Sequence, residues 1–269
     1  MESKLKILIL SPHRNDAAFS LSLTIQSWLT AGHTVTILNV FTRSLHAPYS
    51  DADFIHENDR LSYVSAMRLR EDELFIRRVK ETLPKGHKNN LHMLDLNLKD
   101  APIRLRIPLE ALSETPVNPA DPSIEKIRKA LTRHFEPAPG QNPMQALVVP
   151  AGLGNHIDHL TVREAAQPFT TQLPTAYYED LPYLATHPTA ADDLEALRAA
   201  AERNEPLTEI LYNTNEPTEE AIIRKRKLVL NYASQIDDAS GTLIANFAAT
   251  YNGAERLWAN QSWLSTFAP

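Results

Sequence analysis

The chain has 269 residues, 27 Lys+Arg against 33 Asp+Glu for a net charge of −6, and 43% apolar content, which suits one large domain spanning 1–269. That balance leaves no basic footprint for nucleic acid or an anionic membrane surface. The absence of cysteine excludes disulfides, thiolate zinc sites, iron–sulfur clusters and a cysteine nucleophile, so any metal has to be held by His, Asp or Glu.

The first apolar run, Leu5 to Leu10, is too short for a signal peptide core or a membrane span. No later stretch approaches the length a bilayer requires, so no membrane span and a cytoplasmic location are expected. The run is rich in Leu and Ile without alternation, the pattern of a strand buried on both faces of a parallel sheet. Residues 17–29 then carry Ala18, Leu21, Ile25, Trp28 and Leu29 at helical spacing, and Ala31-Gly32-His33 reads as the stop. Residues 34–41 form a second, β-branched strand, completing a right-handed β-α-β unit.

Residues 51–59 are polar and loop-like, 60–83 predict a long helix ending before Pro84-Lys85-Gly86, and 91–96 a third strand. Pro102, Pro108, Pro116, Pro119 and Pro122 fill the stretch 101–122, which predicts an irregular loop over the active face. Asp121-Pro122-Ser123 opens a helix whose apolar side is Ile124, Ile127, Leu131 and Phe135. A fourth strand at 145–150, a loop at 151–155, a helix from His156 through Ala166 and a fifth strand at 175–178 follow. The remainder reads as helical, with helices at 190–203 and 216–236. The fold class expected is α/β, a Rossmann-like open, mostly parallel sheet flanked by helices, with a helical C-terminal tail.

In such sheets ligands bind beyond the carboxyl ends of the strands, where the strand order reverses. Two polar clusters fall at such ends: Ser11-Pro12-His13-Arg14-Asn15-Asp16 and Asn155-His156-Ile157-Asp158-His159. The first has no glycine to let backbone amides cradle a phosphate, and Gly152-Leu153-Gly154 alone is a weak signal, so a dinucleotide is not expected. Imidazole and carboxylate are zinc donors. His13, Asp16 and His159 could supply three ligands and leave a fourth position for water, the alternative being hydrogen-bonded loop residues without a metal.

The segment SPHRNDAAFS resembles the HxDD motif of the PIG-L/LmbE-like zinc deacetylases, the family of N-acetylglucosaminyl-phosphatidylinositol de-N-acetylase, and GLGNHIDHLTVREA resembles that family's HxDH motif. Asn39-Val40-Phe41-Thr42, Arg68 with Glu71-Asp72, the stretch Tyr177 to Tyr183, and Lys227 with Tyr232-Ala233-Ser234-Gln235 extend the similarity over most of the chain. The resemblance implies Zn²⁺ on His13, Asp16 and His159. It further implies His156 as the imidazole that stabilises the oxyanion or protonates the leaving amine, with Asp158 orienting His156. The implied reaction is hydrolysis of an N-acyl group, acetyl above all, on a small-molecule amino sugar or glycoconjugate.

One departure matters. The family's first acid of HxDD is the general base, and here that position is Asn15, which cannot accept a proton at neutral pH. Asn15 could still orient water, and His156 or Glu179 could substitute as base. Arg14, unusual for the motif, either favours an anionic ligand or restricts the pocket, the alternative being a solvated loop charge. Arg68 either reaches substrate or pairs with Asp72 one helical turn on. Tyr178, Glu179 and Asp180, at a strand end, are expected to line the pocket with them. Arg224-Lys225-Arg226-Lys227 reads as a solvated helix face.

Two further readings stand beside the deacetylase: a catalytically silent zinc-binding relative acting as a binding or regulatory protein, and a metal-free nucleotide-binding protein. Substrate identity and oligomeric state are not legible in the sequence.

Overall fold

The computed structural model describes residues 4–202, 205–213 and 215–267. Five parallel strands come first: β1 (Lys6–Ser11), β2 (Thr34–Asn39), β3 (Leu91–Asp95), β4 (Ala146–Pro150) and β5 (Thr175–Tyr178). Two more, β6 (Thr208–Tyr212) and β7 (Glu255–Ala259), complete a seven-stranded sheet of order β3-β2-β1-β4-β5-β7-β6. β1 pairs along its length with β2, from Lys6 opposite Thr34 to Ser11 opposite Asn39, and on its other side with β4, from Ile7 opposite Ala146 to Ile9 opposite Val148. β7 runs antiparallel to β5 and β6.

The run without alternation in β1 has the expected cause. Ile7 and Ile9 join the larger core cluster, with Phe19, Phe75 and Trp263, whereas Leu8 and Leu10 join a second cluster with Ile127, Leu131 and Val162. Alternate side chains thus enter opposite cores, and β4 behaves alike, with Ala146 and Val148 in the first and Leu147 and Val149 in the second. The helices that build these layers are, in chain order, α1 (Asp16–Thr30), α2 (Glu57–Thr82), α3 (Ala101–Leu105), α4 (Pro122–Phe135), α5 (Ile157–Thr170), α6 (Tyr183–Thr186), α7 (Ala190–Glu202), α8 (Thr218–Val229), α9 (Asp238–Asn246) and α10 (Gln261–Thr266). Asp121 caps α4 by accepting a hydrogen bond from the Ser123 N–H, as its sequence implies. Among the described residues, no helix is long and apolar enough to cross a membrane.

Three expectations change. The C-terminal part is helical except for β6 and β7, which add to the sheet edge beside β5. Five-residue runs such as Glu255–Ala259 do not distinguish strand from helix locally, and the pairing partner decides. The stretch 101–122 is not wholly irregular: Pro102 sits in the first turn of α3, where its missing N–H costs nothing, and the turn ends at Arg106 with φ 57. The helix expected over 216–236 is shorter, Thr218–Val229, whereas the one expected over 190–203 is present as Ala190–Glu202, its last residue Arg203 lying outside the described residues.

α1 is interrupted at Leu21 (φ −130, ψ 15). Its second half begins with the Leu23 and Thr24 N–H groups, which donate to the two carboxylate oxygens of Glu255 from β7 at 3.2 and 2.8 Å. Lys225 of α8, itself buried, closes an ion pair with Glu255 at 2.5 Å. A carboxylate at a helix start satisfies unpaired donors and suits the helix dipole. Glu255→Ala removes both acceptors and strands a buried ammonium, and is expected to cost about 3–5 kcal/mol in equilibrium urea unfolding.

Candidate metal centre

Strand order reverses between β1 and β4, and the loops that leave these two strands build the site. The chain passes from β1 through residues 12–15 straight into α1, so Asp16 opens that helix. Beyond β4, Gly152 (φ +77) and Gly154 (φ +76) turn the backbone sharply. A Cβ on Gly152 would meet Leu160 at 2.8 Å, and one on Gly154 would meet Tyr183 at 3.0 Å. His156 then stands at the N-cap of α5, where its Nδ1 accepts from the Asp158 N–H at 3.1 Å.

His13 and His159 converge on one oxygen. His13 Nδ1 lies 3.2 Å and His159 Nε2 3.3 Å from Asp16 Oδ2, which also accepts from the His13 N–H at 2.6 Å. Each ring is held from behind by a carboxylate: His13 Nε2 is 3.0 Å from Asp158 Oδ2, and His159 Nδ1 is 2.6 Å from Asp180 Oδ1. These partners fix the tautomers and turn the other nitrogen of each imidazole toward Asp16, the arrangement that raises the donor strength of metal-binding histidines. His159 Nε2 is buried and makes no hydrogen bond, since its approach to Asp16 lies outside hydrogen-bond geometry. An orphaned imidazole nitrogen, a second imidazole and a carboxylate, with ligand atoms all within 4.8 Å of one another, fit a divalent cation that takes nitrogen and oxygen donors.

The supporting carboxylates are themselves neutralised. Asp158 accepts from the Ala101 N–H at 2.9 Å and from Arg104 at 2.9 Å; Asp180 accepts from the Gly152 and Leu153 N–H groups at 2.7 and 3.0 Å. Burial opposes charge on His13 and His159, but Asp16 and the carboxylates behind them prevail, holding both imidazoles above their ordinary pKa, His159 at about 10. Asp16 stays well below the carboxylate range despite its burial, because both imidazoles face it. His156 goes the other way: burial, then the positive charge on His13 and His159, holds it at about 3. It is a neutral ring whose Nδ1 is occupied as an acceptor, so its proton sits on Nε2.

The site opens into a cavity of ≈ 390 Å³ whose walls include Asn15, Arg68, Asp100, Leu112, Tyr183 and Gln235. His13, Asp16, His156 and Asp158 line the same cavity, and His159 is packed directly against Asp16. Asn15 Oδ1 accepts from Arg68 Nη2 at 2.9 Å, so the remaining polar group of Asn15 is its NH₂, a donor.

Four expectations are corrected. The Asp158 carboxylate orients His13 rather than His156, which it reaches only through its backbone N–H. Arg14 faces away from the cavity, in ion pairs with Asp72 and Asp95, both at 2.6 Å. Tyr178 is a core residue whose hydroxyl donates to the Leu10 carbonyl. Glu179 accepts from Tyr251, Arg256 and Trp258, outside the cavity, and so is not placed to act as base. Arg68, in contrast, does reach the cavity, and its alternative partner Asp72 is taken by Arg14, Asn39 and Tyr232. Sequence reasoning took Asp180 for a pocket-lining residue rather than the support behind His159, and assigned Arg104 and Asp100 no place. A strand-end acid and two residues of a proline-rich segment carry no spacing that ties them to the histidines.

No protein-family model and no curated protein matches the sequence. Among solved structures, the fold resembles a zinc-inhibited form of a teicoplanin deacetylase (TM-score 0.62, 20% identity, 95% of this chain and 97% of that one). It also resembles N,N'-diacetylchitobiose deacetylase from Pyrococcus horikoshii (0.53, 14% identity, 98% and 86%) and 4-carboxy-2-hydroxymuconate hydratase from Pseudomonas putida (0.54, 9% identity, 95% and 95%). These likenesses establish the α/β fold, which serves more than one chemistry.

Two outcomes follow from the geometry. Asp180→Asn, which weakens the support of His159, is expected to lower divalent-cation affinity about 10–100-fold in competition titrations with a chromogenic chelator. Arg14→Met leaves Asp72 buried without its cation and is expected to cost about 3–5 kcal/mol in chemical denaturation, with little effect on cation affinity.

Proposed function

We propose that this chain is a zinc-dependent hydrolase that removes an N-acyl group, acetyl in the first instance, from a small amino-sugar-like substrate. The carrying observation is the buried, hydrogen-bond-free His159 Nε2 aimed at Asp16 and His13 on the floor of the cavity. The fold shared with two deacetylases supports the same reading.

His13, Asp16 and His159 would hold the ion. When bound, zinc supplies a Lewis acid toward an amide carbonyl and activates water at neutral pH. The chain's own groups do the rest. His156, neutral and protonated on Nε2, is a hydrogen-bond donor facing the cavity, suited to stabilising oxyanion charge. Asp158 and Asp180 hold the two ligand rings in register, and His13, with Arg104 adding to it, keeps Asp158 ionised despite its burial. Asn15 binds and orients but takes no proton. Hydrolysis therefore lacks a factor of about 10²–10⁴ that a carboxylate at position 15 would provide.

Asn15 also favours a second reading, a silent relative that retains the metal and binds without turnover. Acetate release from N-acetylglucosamine and its glycosides, measured alongside metal content, separates the two. The hydrolase reading expects slow release that is abolished with loss of the stoichiometric ion in His159→Ala, and that rises about 10²-fold in Asn15→Asp. Full metal occupancy with no release from either the parent or Asn15→Asp would leave the binding protein.

A further inference from the structure

Arg68 enters the cavity from α2 with 4% of its surface exposed. Of its five N–H donors, a single one is matched among the described residues, by Asn15 Oδ1, and its buried Nε has no partner. Four carboxylates surround it, Asp16, Asp100, Glu71 and Asp72, yet none comes within 4.0 Å among the described residues. Three of the four are committed elsewhere. Glu71 accepts from the Ser234 N–H and hydroxyl at 2.7 and 2.9 Å, Asp72 pairs with Arg14 and Tyr232, and Asp16 lies between two imidazoles. Asp100 accepts from Ser44 and keeps Oδ1 free on the same cavity.

A buried guanidinium without a carboxylate is costly unless a ligand supplies the anion. The cost traces to position 15: an aspartate there would meet Arg68 where Asn15 Oδ1 now does and would cancel its charge, whereas the amide keeps the hydrogen bond and leaves the charge unspent. We infer that the substrate carries an anionic substituent, a carboxylate or phosphate, that pairs with Arg68 beside the scissile amide, and that Asn15 keeps the guanidinium available for it. Asp100, a carboxylate near Arg68 on the same cavity with Oδ1 unmatched, suits a hydroxyl or ammonium donor. Together the two residues suit an acidic, hydroxylated amino sugar rather than a neutral one. The amino-sugar scaffold rests on the function proposed above; the anion requirement rests on Arg68 itself.

The test is calorimetric binding to the full chain, as purified and again after chelation, so that its readout does not depend on turnover. The probes are N-acetylglucosamine, N-acetylmuramic acid, which adds a carboxylate to the same ring, and N-acetylglucosamine 6-phosphate. At least one anionic sugar is expected to bind about tenfold or more tightly than the neutral one. The preference should vanish in Arg68→Gln, survive in part in Arg68→Lys, and fall in Asn15→Asp, which gives Arg68 a partner of its own. Circular dichroism on each variant identifies a chain that has failed to fold, and Asn15→Asp, on the other side of the same contact, keeps the test intact if Arg68→Gln does. Equal binding of charged and neutral sugars, no binding of either anionic sugar, or a preference that persists in folded Arg68→Gln overturns the proposal. An anion preference without acetate release would sink the hydrolase and leave the anion site standing.

Discussion

A single carboxylate oxygen, Oδ2 of Asp16, faces two imidazoles at 3.2 and 3.3 Å, and the remainder of the centre exists to make that contact possible. Two buried rings would ordinarily turn their polar edges to the nearest acceptor. Here each has its outer nitrogen already engaged, by Asp158 and by Asp180, so the inner nitrogens have nowhere else to point. Those two acids are stabilised in turn by Arg104, by the Ala101 N–H and by the amides of the turn after β4. Charge is balanced outward in layers, from the oxygen to the rings to the acids to the backbone.

This layering explains why the proline-rich segment belongs to the site. Its first helix starts on the Asp158 carboxylate through Ala101, Arg104 ties Asp158 to Asp121 at the cap of α4, and the Leu112 carbonyl accepts from the Ile157 N–H. One acid thus organises His13 and a cavity wall together. On the opposite side Arg14, Asp72, Asp95, Asn39 and Tyr232 form a buried polar network behind the loop after β1. The residue that looked like a pocket arginine ties Asp72 to Asp95 inside this network, away from the cavity.

The strands β1 to β5 were legible because burial on both faces writes an uninterrupted apolar run, and their carboxyl ends mark where polar clusters have to meet. His13, Asp16, His156 and His159 were legible for that reason and by resemblance. Arg14, Tyr178 and Glu179 were not, because consecutive residues leaving a strand project in different directions and local sequence does not say which one turns inward. Asp180 was the inward one at the end of β5. β6 and β7 were hidden for a related reason: their pairing partners lie more than 40 positions apart in the chain, as with Leu211 and Arg256, so no local turn announces them.

The break at Leu21 gives α1 an unusual dependence. The segment that carries Asp16 is among the first to be synthesised, but the donors exposed by its interruption are met by Glu255 in a strand made more than two hundred residues later. On a ribosome, the opening helix has to wait with bare amides until the seventh strand emerges and docks. The helix that Asp16 opens is therefore completed late, by closure of the far edge of the sheet, and a nascent chain halted before that strand would hold His13, Asp16 and His159 and still lack the clasp on that helix.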